Sequence, residues 1–489
     1  MSNSFKDIAK STGVIGLVQF IKLLFGLLRN KIIAIFFGAF GVGVWGLYLS
    51  FVEMIQGASS LGLEKSSVKQ IAENSSNLYK RNLTIQIATY SLTLFSLIGA
   101  LVTAFFSEKF SQNIFGTKDY ANGILVCCLV IFVNALTNIF HSILNGLREI
   151  KKLALSQFYG VLVGNSIVFV LIAFLKTKQI PLFILILSIS TFLPSLIYLK
   201  KLRISFHKVV FKDIFQSFSI LMRIGFGFWV SLVFMTIMTY LTKLYLQEKF
   251  NVNVVGIYQA SWTISNLYVG LILTSMGVDF FPKICQVISN QSKGINLINE
   301  QIEFGLLVSF PFIIGILIFA PFLLTLLYSS EFTQGSSIIR WQMLGVTIRL
   351  LGFPFGYALM AKEKVLQYTI SQFVFSGLNY LFVVLLVACY GFKALGLNYF
   401  AAYLIYILMV GGFCVKEFKF RFSAYLLKLL ILIFCALSCA GGLIYYFDGF
   451  WLYFLGSIIT ILVSYYSFRQ LKKKLNINVI TYIKRKLLK

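Results

Sequence analysis

Long apolar runs alternate with short polar gaps along the whole chain, and most of the charge sits in the gaps. Each run is near or above the ~20 residues that a helix rising ~1.5 Å per residue needs to cross a ~30 Å hydrocarbon layer. The pattern predicts about fourteen spans: 14–37, 42–63, 82–106, 121–146, 154–175, 180–199, 218–241, 254–278, 304–328, 338–361, 367–390, 394–415, 424–447 and 451–468. Several gaps are so short that a count of twelve also fits. The fold class is therefore an all-α polytopic membrane protein. The first two spans meet at a Gly-rich stretch, 38–43 (GAFGVG), which reads as a tight turn.

Composition agrees. Mean hydropathy is +0.86, 58% of residues are hydrophobic and 12% are charged. A net charge of +27 would suit nucleic acid, but its distribution argues against that partner. With the N-terminus cytoplasmic, 29 of the 43 lysines and arginines fall in loops and termini on that side and seven on the other, Lys243 and Lys249 among them. Such a bias across alternate gaps is the signature of membrane orientation, here with both termini cytoplasmic. The basic tail, 469–489, reads as an anchor on an anionic leaflet. The start of the chain lacks the pattern of a cleaved signal peptide, so the first span is expected to persist. The seven cysteines fall mostly inside spans and predict free thiols. Cys435 and Cys439 are one turn apart but have no His or carboxylate cluster beside them, so no metal site is expected.

The chain also repeats. Gly46-Leu-Tyr48 corresponds to Gly256-Ile-Tyr258, Leu61-Gly-Leu-Glu64 to Met276-Gly-Val-Asp279, Lys118-Asp119-Tyr120 to Glu331-Phe332, and Arg148-Glu149 to Lys362-Glu363, at an offset of 210 to 215 residues. This predicts two parallel six-helix lobes, 1–215 and 216–422, followed by two extra helices and a basic tail, 423–489. Transporters with parallel repeats bind substrate between the halves and rock them for alternating access. Asp279, like Glu64, falls at a cytoplasmic helix end and reads as a solvated terminal acid.

The spaced pattern Lys22-x3-Gly26-Leu-Leu-x2-Lys31-x2-Ala34-x3-Gly38-x2-Gly41-x-Gly43, with Ile8-Ala-Lys-Ser11 before it and Gly62-Leu-Glu64 and Val68-x-Gln70 after it, resembles bacterial O-antigen and polysaccharide repeat-unit flippases. These belong to the multidrug/oligosaccharidyl-lipid/polysaccharide exporter superfamily. Close motif similarity covers roughly the first eighty residues; the helix count and the repeat extend it over the chain. The resemblance implies a V-shaped pair of lobes around a central cavity. It implies an undecaprenyl-diphosphate-linked oligosaccharide moved from the cytoplasmic to the periplasmic leaflet of the bacterial inner membrane. Protons or another coupling ion, membrane lipids and other polysaccharide-assembly proteins are the further partners implied. No bound nucleotide or other cofactor is implied, and the sequence holds no Gly-x4-Gly-Lys-Ser/Thr phosphate loop.

The charges inside the spans fit such a cargo. A lipid diphosphate brings negative charge into a low-dielectric site, where cations attract it more strongly than in water. Lys22 and Arg29, seven residues apart, point to one face of the first helix, and Arg349 lies at the centre of span ten. These three are the expected headgroup contacts, with Arg223 near the cytoplasmic mouth and Lys31 nearer the outer end. Snorkelling or structural pairing with Glu53 is the alternative for each. Glu53 reads either as a coupling acid that exchanges a proton or as a permanent partner of Lys22 or Arg29. Asn134, Asn138, His141 and Asn145 form a stripe on span four, suited to sugar hydroxyls or to interhelical hydrogen bonds. His207 reads as solvated. A drug/cation antiporter would want acids where this chain has cations. A membrane polymerase or glycosyltransferase would want a large outer loop with catalytic acids, and the longest outer loop is 107–120.

Overall fold

The computed structural model describes residues 2–174, 176–202 and 211–475; His207 and the end of the basic tail lie outside them. Among the described residues there are fifteen α-helices and no strand: α1 Ser2–Ser60, α2 Leu63–Glu73, α3 Leu78–Phe105, α4 Ser107–Phe115, α5 Ala121–Gly146, α6 Ile150–Leu171, α7 Ile180–Lys200, α8 Phe211–Lys249, α9 Val252–Val287, α10 Gln291–Leu327, α11 Ser336–Ala361, α12 Val365–Tyr390, α13 Leu397–Phe418, α14 Ala424–Tyr446 and α15 Gly449–Leu475. Twelve helical segments of the described residues are long and apolar enough to cross a membrane, with α1 counted once. Each of the fourteen predicted spans falls on a helix, the first two sharing α1 and the eighth lying on α9. Large apolar side chains point outward, Phe105 at 83% exposure and Leu408 at 75%, as a chain solvated by lipid requires.

The turn expected over 38–43 is confined to one residue. Gly38 adopts φ 62°, ψ −161°, and helix resumes at Ala39. The two arms of α1 form a hairpin. Lys22 reaches Gln157 on α6, and Phe37 stacks on Phe183 at the start of α7, with ring centroids 6.4 Å apart. The returning arm passes Tyr48, bonded to the Tyr120 carbonyl before α5, and leads to Leu63, which packs with Ile139 and Ile143 near the far end of α5. Glu331 supplies what the new helix start lacks. Its carboxylate accepts the Ala39 backbone N–H at 3.0 Å, an anion on one of the unpaired amides of a helix N-terminus. Gly43 and Gly46 therefore serve contact rather than turning: a Cβ on Gly43 would stand 2.1 Å from the Val252 carbonyl oxygen.

Packing divides the chain into two compact units, Met1–Gln259 with Leu327–Glu331, and Ala260–Leu326 with Phe332–Lys489. This boundary differs from the repeat boundary near 215 because α8 packs on α1. In unit 1 an apolar core of Leu63, Ile71, Ile85, Leu92, Ile139 and Ile143 joins α2, α3 and α5. In unit 2 the rings of Phe375, Tyr399, Tyr403 and Tyr406 pack between α12 and α13.

The repeat has a backbone counterpart. After α5, Arg148 has φ 59° and the Glu149 N–H returns to the Leu144 carbonyl; after α11, Glu363 has φ 62° and the Lys364 N–H returns to the Leu359 carbonyl. Both are six-to-one helix ends closed by a left-handed residue. They set the offset at 215 here, matching Arg148 to Glu363 rather than to Lys362.

Candidate functional site

Each unit gathers intramembrane cations with neutral partners. In unit 1, Lys22 donates from Nζ to Gln157 Oε1 at 2.9 Å. His141 of α5 lies within electrostatic range of that ammonium. Its Nε2 meets Ser195 Oγ at 2.9 Å, and Ser195 donates its proton to the Thr191 carbonyl. The hydroxyl must then accept from His141, so Nε2 carries the proton and Nδ1 is left as an acceptor. Helices α1, α5, α6 and α7 thus contribute to one polar cluster.

Arg29 goes elsewhere. Its guanidinium lies over the Trp45 ring at 4.7 Å from the centroid, and its Nε is buried with no hydrogen-bond partner. Cation–π contact holds the group without neutralising it. Lys31 donates to the Tyr328 carbonyl at 2.5 Å, and neighbouring Asn30 donates to the Tyr328 hydroxyl. Lys31 therefore anchors Tyr328, the segment that also carries Glu331. Arg223 is exposed on α8.

The acids sit differently from the expectation. Glu53 is exposed, and Lys22 and Arg29, its expected partners, have the contacts just described. The cation it acts on electrostatically is Lys243. Lys243 is not a loop residue: α8 continues to Lys249, and Lys243 is 5% exposed, donating to the Gly46 carbonyl at 2.9 Å. The apolar run ends at 241, two residues before it, while the helix continues. Glu64 is half-buried rather than a fully solvated terminal acid; its Oε1 accepts from Asn138 Nδ2 at 2.9 Å. The polar stripe on α5 accordingly makes interhelical bonds at Asn138 and His141, whereas Asn134 is half-buried and Asn145 exposed. The Asp279 side chain is outside the described residues.

In unit 2, Arg349 of α11 donates from Nη1 to Asn266 Oδ1 at 2.8 Å and to the Tyr399 hydroxyl at 3.3 Å. It opens on a cavity of about 220 Å³ lined also by Phe353, Tyr357, Tyr368, Gln372, Phe375, Tyr403 and Tyr406. An adjoining cavity of about 470 Å³ shares Arg349, Phe353 and Tyr357. Among the described residues, Arg349 is the single charged one in either lining. Aromatic faces, phenol and amide groups and one guanidinium can stack on a sugar ring, hydrogen-bond its hydroxyls and meet one negative charge. The tyrosines could not be singled out beforehand, because 25 Tyr and 51 Phe make aromatics common throughout. Among the described residues no cluster of His, Cys, Asp and Glu could hold a metal ion.

The chain is similar to several known proteins. The lipid III flippase of Escherichia coli (strain K12) is 22% identical over 400 residues, 80% of this chain and 94% of that one. The solved structure of lipid II flippase MurJ in an inward closed conformation superposes with a TM-score of 0.71, at 18% identity, over 95% of this chain and 99% of that one. An inward-facing multidrug resistance MATE family transporter of the MOP superfamily superposes with a TM-score of 0.64, at 14% identity, over 83% of this chain and 99% of that one. The two structures share the fold. A family model described as polysaccharide biosynthesis protein matches residues 8–288, more than half of the chain, and the protein belongs to that family.

Proposed function

We propose that this protein is a flippase for undecaprenyl-diphosphate-linked oligosaccharide, an O-antigen or other polysaccharide repeat unit. It carries the cargo from the cytoplasmic to the periplasmic leaflet by alternating access, driven by a proton or other ion gradient. The observation that carries this reading is that Lys22, Arg29 and Arg349 are held by an amide, an indole ring, and an amide with a phenol. None of these partners cancels the positive charge. A cation at membrane depth costs on the order of 3 kcal/mol on insertion scales, and an anionic headgroup recovers that cost where a cationic drug would add to it. Similarity to a lipid III flippase supports the same class. In unit 1, Lys22 and Arg29 are the diphosphate contacts; in unit 2, the tyrosine-lined cavity at Arg349 receives sugar.

The test is translocation of labelled lipid-linked oligosaccharide in proteoliposomes, with Lys22, Arg29 and Arg349 replaced singly by Gln. Loss of transport at normal protein levels is expected; undiminished transport by all three variants would sink the reading.

Orientation is tested separately. Cys285 is exposed just beyond Lys283, on the side assigned to the cytoplasm. A membrane-impermeant maleimide is expected to label it in inverted vesicles and to spare it in right-side-out spheroplasts. Labelling of Cys285 itself from the periplasmic side, with exposed Cys389 replaced by Ser, would reverse the assigned topology.

A further inference from the structure

Glu64 stands where the returning arm of α1 gives way to α2, in largely polar surroundings. Its carboxyl borders a recess of about 10 Å³, room for about one water molecule. Around it are Gln56, Ser59 and Ser60 of α1, Ser96 of α3 and Asn138 of α5. Asn138 occupies one carboxyl oxygen. Ser60 and Ser96 donate their hydroxyl protons to the Gly57 and Thr93 carbonyls, so they offer lone pairs to the recess. Gln56 Nε2 is buried with no partner. An ionised carboxylate is served by Asn138, while a protonated one has hydroxyl oxygens nearby to accept its hydrogen.

The site adjoins a strained bend. Leu61 and Gly62 have φ of 48° and 70°, and Gly62 lies so close to α8 that a Cβ would stand 2.4 Å from the Gly225 carbonyl oxygen. One turn along α8, Trp229 Nε1 donates to the Gly57 and Ala58 carbonyls, both at 3.1 Å. The carboxyl, the bend and α8 are therefore mechanically continuous.

We propose that Glu64 is a reversible proton-binding site whose occupancy sets the geometry of the α1–α2–α8 junction, and through which a proton gradient acts on transport. The last clause rests on the flippase reading; the site itself does not. Burial pushes the Glu64 carboxyl above its ordinary value, with the Asn138 bond and neighbouring Lys65 pulling the other way. The remaining lining residues, Leu92, Ile131 and Ala135, do not titrate. On α5, His141 lies one turn beyond Asn138 and is bonded to Ser195; on α8, Arg223 is exposed. A raised carboxyl fixes the sign. Between the ordinary value and the raised one, the buried junction holds a proton that a solvated Glu64 would release. The junction is thus favoured at acid pH and loosens as pH rises through that window.

The experiment uses the full chain in nanodiscs with Trp229 as the single tryptophan, Trp45, Trp262, Trp341 and Trp451 being replaced by Phe. Its emission is followed across the acidic to neutral range, in sodium and in choline chloride. One transition is expected, with a midpoint above ~4.3, the ordinary glutamate value. Asn138→Leu, which removes the donor to the ionised form, should move that midpoint higher, and Glu64→Gln should abolish it. An unchanged transition in Glu64→Gln overturns the proposal. So does a signal that follows sodium at constant pH, which would make the recess a metal-cation site. Should Glu64→Gln abolish the transition but transport with unaltered dependence on an imposed proton gradient, the coupling clause falls and the site stands. Loss of transport by the cationic variants leaves the fluorescence result untouched, so the two readings fail separately.

Discussion

Arg29→Gln is expected to lower transport of lipid-linked oligosaccharide by 10- to 100-fold, with protein level and thermal stability near those of the parent. The magnitude follows from losing a charge-assisted contact to phosphate, on the order of 1.5–3 kcal/mol. Stability should change little because the guanidinium lies against the Trp45 ring with its Nε unpartnered, so the variant orphans no acceptor at those contacts. Arg29→Lys separates charge from shape. It keeps the positive charge but gives up the planar stack and the forked donors, and should recover only part of the rate. Trp45→Ala should lower the rate and the melting temperature together, since Trp45 is buried and its truncation leaves a cavity beside the guanidinium. Full activity in Arg29→Gln, measured as initial flipping rate in proteoliposomes of matched protein content, would remove Arg29 from the binding site. A large fall in melting temperature instead would make it a structural cation.

The second large effect is on stability. Gly256→Ala is expected to destabilise the protein by about 3 kcal/mol or more, because overpacking against backbone cannot be relieved by a rotamer change. A Cβ at Gly256 would stand 1.9 Å from the Ala39 carbonyl oxygen, in the first turn of the returning arm that Glu331 caps. Gly43→Ala meets the same contact from the other side, 2.1 Å from the Val252 carbonyl oxygen, and should cost a comparable amount. Because the two substitutions load one contact, their effects should not add. Gly227→Ala provides the contrast: nothing lies within 4 Å of its added Cβ. Alanine is also the better helix former by up to ~1 kcal/mol. Melting followed by fluorescence-detected size exclusion should show early loss for Gly256→Ala and none for Gly227→Ala. Equal melting of the two would mean that α1 and α9 do not approach so closely.

The sequence alone determined what is local or statistical. A run of about twenty apolar residues must satisfy its backbone internally in lipid, so its length announces a helix before any neighbour is known. All fourteen expected runs lie on helices for that reason. The rarity of intramembrane charge likewise made Lys22, Arg29 and Arg349 visible as candidates. Their partners were not visible. Lys22 meets a residue 135 positions away and Lys31 one 297 away; periodicity along one helix carries no record of which other helix faces it. Position near the end of an apolar run suggests solvent for Lys243 and Glu64, and both lie deeper than that. Depth depends on how far the helix continues and what packs over it, as α8 and Asn138 show. Single residues decided the remaining features. One left-handed glycine folded α1, and one carboxylate from position 331 capped the arm that followed. Only tertiary structure could decide these, because each is an energy between groups that the chain brings together after its helices have formed.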